Sequence, residues 1–277
     1  MTNEAQVADH YTTGALTERV KQALRDLGID PDSATADDLK ACDEFHTGGV
    51  AATDLLVEGL DVTPDIRVLD IGSGVGGPAR YFANRYGCQA TGIDLTPEFV
   101  ETATELSAMV GLSDKTSFHQ GSALDLPFDT DRFNLALLLH VGMNIDDKST
   151  LFAEAARVLA PGGTFLVFDV MRADEPSDLL FPLPWSSIAD TSFVVPSSDY
   201  KDAARVAGLK LSEERDLTGF AKDFFDQVFA AIAKDGPSPL GIHLMMGETA
   251  GEKIKNYVAN LDAGRIAPIA LTFRKPE

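Results

Sequence analysis

Between residues 67 and 170, short apolar or β-branched runs alternate with segments of helical period. RVLDIG (Arg67 to Gly72), QATGIDL (Gln89 to Leu95), TSFHQG (Thr116 to Gly121), FNLALLLHV (Phe133 to Val141) and TFLVFDV (Thr164 to Val170) read as five strands. The intervening PARYFANRYG, TPEFVETATELSAMVGL and DKSTLFAEAARVLAPGG read as helices, the last closed by a Pro-Gly-Gly stop. Such alternation predicts a parallel α/β sheet with helices on both faces, whose ligands bind at the carboxyl ends of the strands.

The flanks follow other patterns. Thr13 to Leu60 reads as helices and a loop around FHTGGVAATDLL, an amino-terminal cap. After Val170 comes a Pro-rich, aromatic segment, then a helix (Ser198 to Ala207), a strand (Leu209 to Asp216), two more helical stretches and a last strand near IAPIALTFRK. The total is seven strands. The expected division is a helical cap over 1–60, a ligand-binding core over 61–170, and an acceptor-site segment with a helical insertion and the closing strands over 171–277.

Composition narrows the function classes. A chain of 277 residues with 44% hydrophobic residues can bury one large core, or a core plus a cap. The start, MTNEAQVADHY, is polar and acidic, and no apolar run approaches the ~18 residues needed to cross a bilayer, so the cytoplasm is the expected compartment. With 43 acids against 23 Lys and Arg, the formal net charge is -20. Such a surface repels phosphate backbones and anionic lipid, which argues against nucleic-acid and membrane-surface partners, and acid-rich solubility is its plainest meaning. Cys42 and Cys88 have neither a CxxC spacing nor a shared context, and are expected as free thiols.

Candidate chemistry centres on VLDIGSGVGGPARYFA, from Val68 to Ala83. A kinase-type phosphate loop needs Lys-Ser or Lys-Thr after its last glycine, and this loop continues Gly77-Pro78-Ala79-Arg80. A dinucleotide fingerprint survives on spacing alone, through Gly72, Gly74 and Gly77 with Asp94 ending the next strand, so NAD binding stays open. Asp70 tips the balance: a carboxylate at the end of the strand disfavours a pyrophosphate and suits an ammonium or sulfonium ligand.

The order Asp70, Gly72, Gly74, Gly76 resembles the signature of class I S-adenosylmethionine-dependent methyltransferases, with the Rossmann-like fold that family implies. The resemblance implies that Gly72, Gly74 and Gly76 let the backbone pass under the methionine part, with Asp70 near its ammonium. It places Asp94 on the ribose hydroxyls, Leu95 over the adenine, Gly121, Ser122, Ala123 and Leu124 along the adenine border, and His140 beside the sulfonium. Relatives often carry Asp where Ser122 stands. Asp94 as a helix cap and His140 as a satisfied strand-end histidine are the plainer alternatives.

DEFHTGG, GIDLTPEFV, HVGMN and GRIAPIALTFRK extend the resemblance to bacterial small-molecule methyltransferases related to the sarcosine and dimethylglycine N-methyltransferases. It implies N-methylation of an amino acid or small amine, with S-adenosylhomocysteine as product and no metal. S-methylation of a thioether such as methionine, an NAD-dependent oxidoreductase and an inactive cofactor-binding module are the alternatives. His140, His46 and His243 have the ordinary pKa of a base near neutrality. Tyr11, Phe45 and His46 would cover the cofactor from the amino-terminal side, with Tyr11 and His46 joining His140 as catalytic candidates. Met143 and Asn144 would line the active site. Phe181 and Trp185 either hold a methylated cation or pack the cap onto the core, and His243 stands in a Met-rich segment that equally suits core packing. Arg172 and Arg265 are the candidates for a substrate carboxylate, or else pair with surface acids. TGFAKDFFDQVFAAIA has the spacing of a buried helix face, for core or dimer contact, which leaves a homodimer open.

Overall fold

The computed structural model describes residues 3–12 and 14–277. Four helices come first: α1 (Asn3–Tyr11), α2 (Leu16–Asp26), α3 (Ala36–Asp43) and α4 (Gly49–Val57). The alternating region then runs β1 (Arg67–Ile71), α5 (Gly77–Tyr86), β2 (Gln89–Asp94), α6 (Pro97–Met109), β3 (Thr116–Gln120), β4 (Phe133–Leu139), α7 (Lys148–Val158) and β5 (Leu159–Arg172). It is followed by α8 (Ser197–Val206), β6 (Lys210–Asp216), α9 (Thr218–Asp235), α10 (His243–Met246), α11 (Ala250–Asp262) and β7 (Ile266–Arg274).

The seven strands form one sheet in the order β3-β2-β1-β4-β5-β7-β6. The first five pair in parallel, and β7 runs antiparallel between β5 and β6. The strand order reverses between β1 and β4, the place where sheets of this kind leave a crevice beyond their carboxyl ends. Central strands are buried on both faces, which is why β4 reads as a continuous FNLALLL rather than an alternation. One apolar cluster packs α7 and α8 on one face, and a second packs α4 and α5 on the other.

Helix boundaries have local causes. Pro78 and Pro97 sit in the first turns of α5 and α6, where a missing N–H costs nothing. The Pro-Gly-Gly of residues 161–163 does not follow a helix stop and loop: α7 ends at Val158, and Leu159 already pairs with Phe133 before the register shifts to Leu135 and Thr164. This segment opens β5 as an irregular strand. α1 precedes the expected start of the cap helices at Thr13, which lies outside the described residues. None of its residues is buried, so it carries no apolar period to read.

The cap is bolted to the core by a buried charge. Arg80 on α5 is 1% exposed and donates to Asp43 Oδ2 of α3 (2.9 Å), the Val75 carbonyl (2.6 Å), and the Ala103 carbonyl and Ser107 Oγ of α6 (both 3.2 Å). A last cluster joins Leu183 and Trp185 to α9 and α11. α9 buries only Ala221 and Phe225, leaving Phe229 and Ile232 exposed. Among the described residues, no helix is long and apolar enough to cross a membrane.

Candidate active site

The glycine loop leaves β1 at Gly72, whose φ is 73° and whose N–H donates to the Ile93 carbonyl at 2.8 Å. A Cβ there would lie 2.4 Å from Val141 Cγ2, so only glycine lets the ends of β1 and β4 approach. Gly74 N–H donates to Asp94 Oδ2 and Thr96 N–H to Asp94 Oδ1, each at 2.8 Å. Asp94 therefore ties the loop after β1 to the start of α6 while facing the cavity. Gly76 departs from expectation. Its φ is 86°, and a Cβ would meet Phe118 Cζ at 2.6 Å, so it turns the loop against β3 and does not line the cavity.

One cavity gathers most of the residues the sequence singled out: Asp70, Gly72, Gly74, Asp94, Leu95, Gly121, Ser122, Ala123, Leu124 and His140, with Tyr11, Phe45, His46 and Asn144. Among the described residues, five buried polar atoms of its lining residues have no partner: Asp43 Oδ1, Asp70 Oδ2, Ser73 Oγ, His140 Nε2 and Asn144 Oδ1. Each such atom costs about 1–3 kcal/mol in a folded protein unless a ligand meets it. The wall is also one-signed. Glu4, Asp43, Asp70, Asp94, Asp146 and Asp147 line it, and no Lys or Arg does. Burial, and then the neighbouring Asp94 charge, push the Asp70 carboxyl up to about 7. Burial raises Asp94 too, against the opposing pull of the Thr96 and Gly74 N–H groups. A positive ligand relieves this crowding, and an anionic one worsens it.

Ser122 Oγ contacts the carboxylate of Glu4, brought in by α1, and accepts from Leu124 N–H at 3.0 Å. A carboxylate thus does stand at the Ser122 position, supplied from a distant helix. Tyr11, also on α1, receives a hydrogen bond from Asn144 Nδ2 at 3.4 Å. Its phenol is pushed far up by burial, which leaves it a neutral donor and acceptor rather than a base.

The two histidines differ in aim. His140 has a φ of 56°, a conformation costly for any residue with a Cβ. Its Nδ1 accepts from Thr47 N–H at 3.4 Å, so the neutral ring carries its proton on the unpartnered Nε2. Burial and the nearby His46 hold its pKa well below the usual value. His140 presents a donor. His46 turns its Nε2 to Thr53 Oγ1 (3.1 Å) and towards Glu44 Oε2 (3.6 Å), and burial brings its pKa down to about 4. It offers the cavity a ring face rather than a basic nitrogen, contrary to the base expected from its ordinary pKa.

A second chamber shares the Tyr11, Phe45, His46 and His140 wall and is completed by Met143, Trp185, Phe224, Phe225 and Tyr257. Trp185 is 2% exposed, donates through Nε1 to Ser192 Oγ at 2.9 Å and stands edge-on to Tyr257. Phe181 packs in the adjoining cluster without reaching the chamber wall. His243 is exposed on α10, outside both cavities. Arg172 and Arg265 are also elsewhere: Arg172 donates to the carbonyls of Arg265 (3.3 Å) and Ser177, and Arg265 Nε to Ser177 Oγ (2.8 Å). They clamp the segment after β5, at the carboxyl edge of the sheet but off both cavity walls. Thr47, Tyr257, Phe224 and Phe225 escaped the sequence reading. The signal of the three rings, apolar spacing in α9 and α11, is the same whether a ring faces a core or a chamber, and Thr47 in the loop before α4 gives none.

Residues 69–167 match the family described as Methyltransferase domain. The chain is 44% identical over 112 residues to a probable tocopherol O-methyltransferase, chloroplastic, of Oryza sativa subsp. japonica, covering 40% of this chain and 31% of that one. It is 29% identical over 178 residues to a glycine/sarcosine/dimethylglycine N-methyltransferase of Actinopolyspora halophila, covering 62% and 30%. A geranyl diphosphate C-methyltransferase structure from Streptomyces coelicolor A3(2), in complex with S-adenosyl-L-homocysteine, superposes with a TM-score of 0.72 at 16% identity over 99% of this chain and 98% of that one. The chain spans about a third of the length of the first curated relatives it matches. The shared architecture is a Rossmann-like, mostly parallel sheet with a cavity beyond its carboxyl edge.

Proposed function

We propose that the protein transfers the methyl group of S-adenosylmethionine to a small-molecule acceptor held in the second chamber. The observation that carries this reading is the one-signed cavity with five unpartnered polar atoms on its lining residues, sharing His140 with an aromatic chamber. Asp94 keeps free lone pairs on both oxygens beside its two backbone donors, enough to accept from two ribose hydroxyls. Leu95 and the 121–124 turn border the adenine, and Asp70 faces the ammonium.

When bound, the cofactor, held by Asp70, Asp94 and the 121–124 turn, would supply an electrophilic methyl carbon for displacement by an acceptor lone pair, with the carbon–sulfur bonding pair leaving on sulfur and any acceptor proton lost to bulk solvent as product departs. The protein's part is alignment and exclusion of water, which can supply much of the acceleration. His140 and the rings of Tyr11 and Phe45 stand between the two cavities and fix where an acceptor can meet the methyl group. An amino-acid acceptor, the expectation from sequence, is supported by the relative from Actinopolyspora halophila, but its carboxylate would find no Lys or Arg on either wall. NAD is disfavoured because its pyrophosphate would face Asp70 and Asp94.

The deciding experiment is calorimetry with S-adenosylhomocysteine and, separately, NAD, followed by a screen of amines, amino acids and thioethers with methyl-labelled S-adenosylmethionine. Binding of the homocysteine derivative and acceptor-dependent label transfer are expected. Binding of NAD alone would overturn the assignment.

A further inference from the structure

We propose that the acceptor is an uncharged, largely apolar molecule carrying a hydrogen-bond-accepting group, bound in the chamber between Trp185, Phe225 and Tyr257 with that group against His140 Nε2. The proposal rests on the methyl-transfer reading and specifies its acceptor.

The first argument is charge. Among the described residues, the chamber wall contains no Asp, Glu, Lys or Arg. The nearest buried cation on α11 is Lys253, one residue from the chamber residue Ile254. It is 5% exposed and donates Nζ to the Met246 carbonyl at 3.1 Å, off the wall of either cavity. A carboxylate entering this chamber would lose its hydration without gaining a partner, and would approach the acidic wall of the neighbouring cavity.

The second argument is hydrogen bonding. The chamber's polar groups are already engaged: Tyr257 Oη with Thr47 Oγ1 at 2.8 Å, Trp185 Nε1 with Ser192 Oγ at 2.9 Å, and His46 Nε2 with Thr53 Oγ1 at 3.1 Å. The exceptions are the Tyr11 hydroxyl, which accepts from Asn144 Nδ2 and keeps its own O–H to donate, and His140 Nε2. The latter is buried, unpartnered, and carries the proton because Thr47 N–H occupies Nδ1. Two donors in an otherwise apolar wall select one accepting group on an otherwise apolar body.

The third argument separates neutral acceptors from cationic ones. Aromatic walls attract ammonium groups as well as hydrocarbon. An ammonium nitrogen has no lone pair and must lose a proton before it can take a methyl group. Neither histidine is placed to remove it, since His140 donates and His46 points to Thr53. A neutral acceptor presents its lone pair on entry and loses any proton to bulk solvent only after the methyl group has moved.

The test is titration of three probes that share a 4-hydroxyphenyl ring, p-cresol, 4-hydroxybenzoate and tyramine, into the full chain saturated with S-adenosylhomocysteine. Saturation is verified first by calorimetry, so a failure to bind the cofactor product counts against the methyl-transfer reading and is recognised as such. The expected result is that p-cresol binds roughly tenfold or more tighter than either charged analogue, the signature of an apolar chamber without a counter-ion. Equal or tighter binding of 4-hydroxybenzoate or tyramine overturns the proposal. So does a protein that binds S-adenosylhomocysteine but takes up no p-cresol to its solubility limit.

Discussion

Asp94 meets two demands with one carboxylate, holding Gly74 and Thr96 in place and facing the cavity. Asp94→Asn keeps the size and one acceptor oxygen but loses the charge. S-adenosylhomocysteine affinity is expected to fall by about 2–4 kcal/mol, measured by calorimetry; unchanged affinity would remove the ribose contact. His140 separates differently. His140→Gln preserves an N–H donor and should keep most of the turnover, whereas His140→Leu should lose roughly tenfold or more while cofactor affinity changes less. Equal losses in both variants would point to proton abstraction instead. Asp70 sets a pH dependence. Its folded pKa of about 7 lies above the ordinary carboxylate value, so its contribution to the stability of the ligand-free protein is full below about pH 4 and is lost as pH rises through about 7. An ammonium ligand prefers the ionised form, so S-adenosylhomocysteine should bind more tightly from pH 6 to pH 8, and Asp70→Asn should flatten that slope.

At the scale of elements, α1 is the piece with least packing and most reach. It buries no residue, yet Glu4 touches Ser122, Tyr11 meets Asn144, and the His10 ring lies 3.1 Å from the Pro184 carbonyl. Removing residues 1–12 should leave cooperative unfolding nearly unchanged in midpoint and weaken cofactor binding several-fold; a large drop in Tm would show that the helix is structural. The same contrast explains what was legible beforehand. β1, β2, β4 and their helices announce themselves because burial on both faces writes long apolar runs, and the acids Asp70 and Asp94 stand at fixed offsets from them. Glu4 and Thr47 were invisible because their roles come from tertiary approach across more than ninety residues. Arg172 and Arg265 misled because a guanidinium's partner is set by where its strand ends. The Pro-Gly-Gly segment misled because two glycines suit a bulged strand start as well as a helix stop.

On the scale of the whole molecule, Arg80 joins α3, α5 and α6 through one fully buried guanidinium. Arg80→Met leaves Asp43 buried without its cation, and a loss of about 3–5 kcal/mol in urea unfolding is expected. A loss below about 1 kcal/mol would show that cap and core are held chiefly by apolar contact. The place of β7 has a different kind of consequence. This strand, the seventh in sequence, lies sixth in the sheet and is the only neighbour of β6. During synthesis β5 is therefore an open edge, and β6 has nothing to pair with, until residues 266–274 have left the ribosome. The nascent chain must keep a long apolar edge from recruiting other strands while residues 173–265 are made, and the sheet closes by insertion of a late strand between two earlier ones.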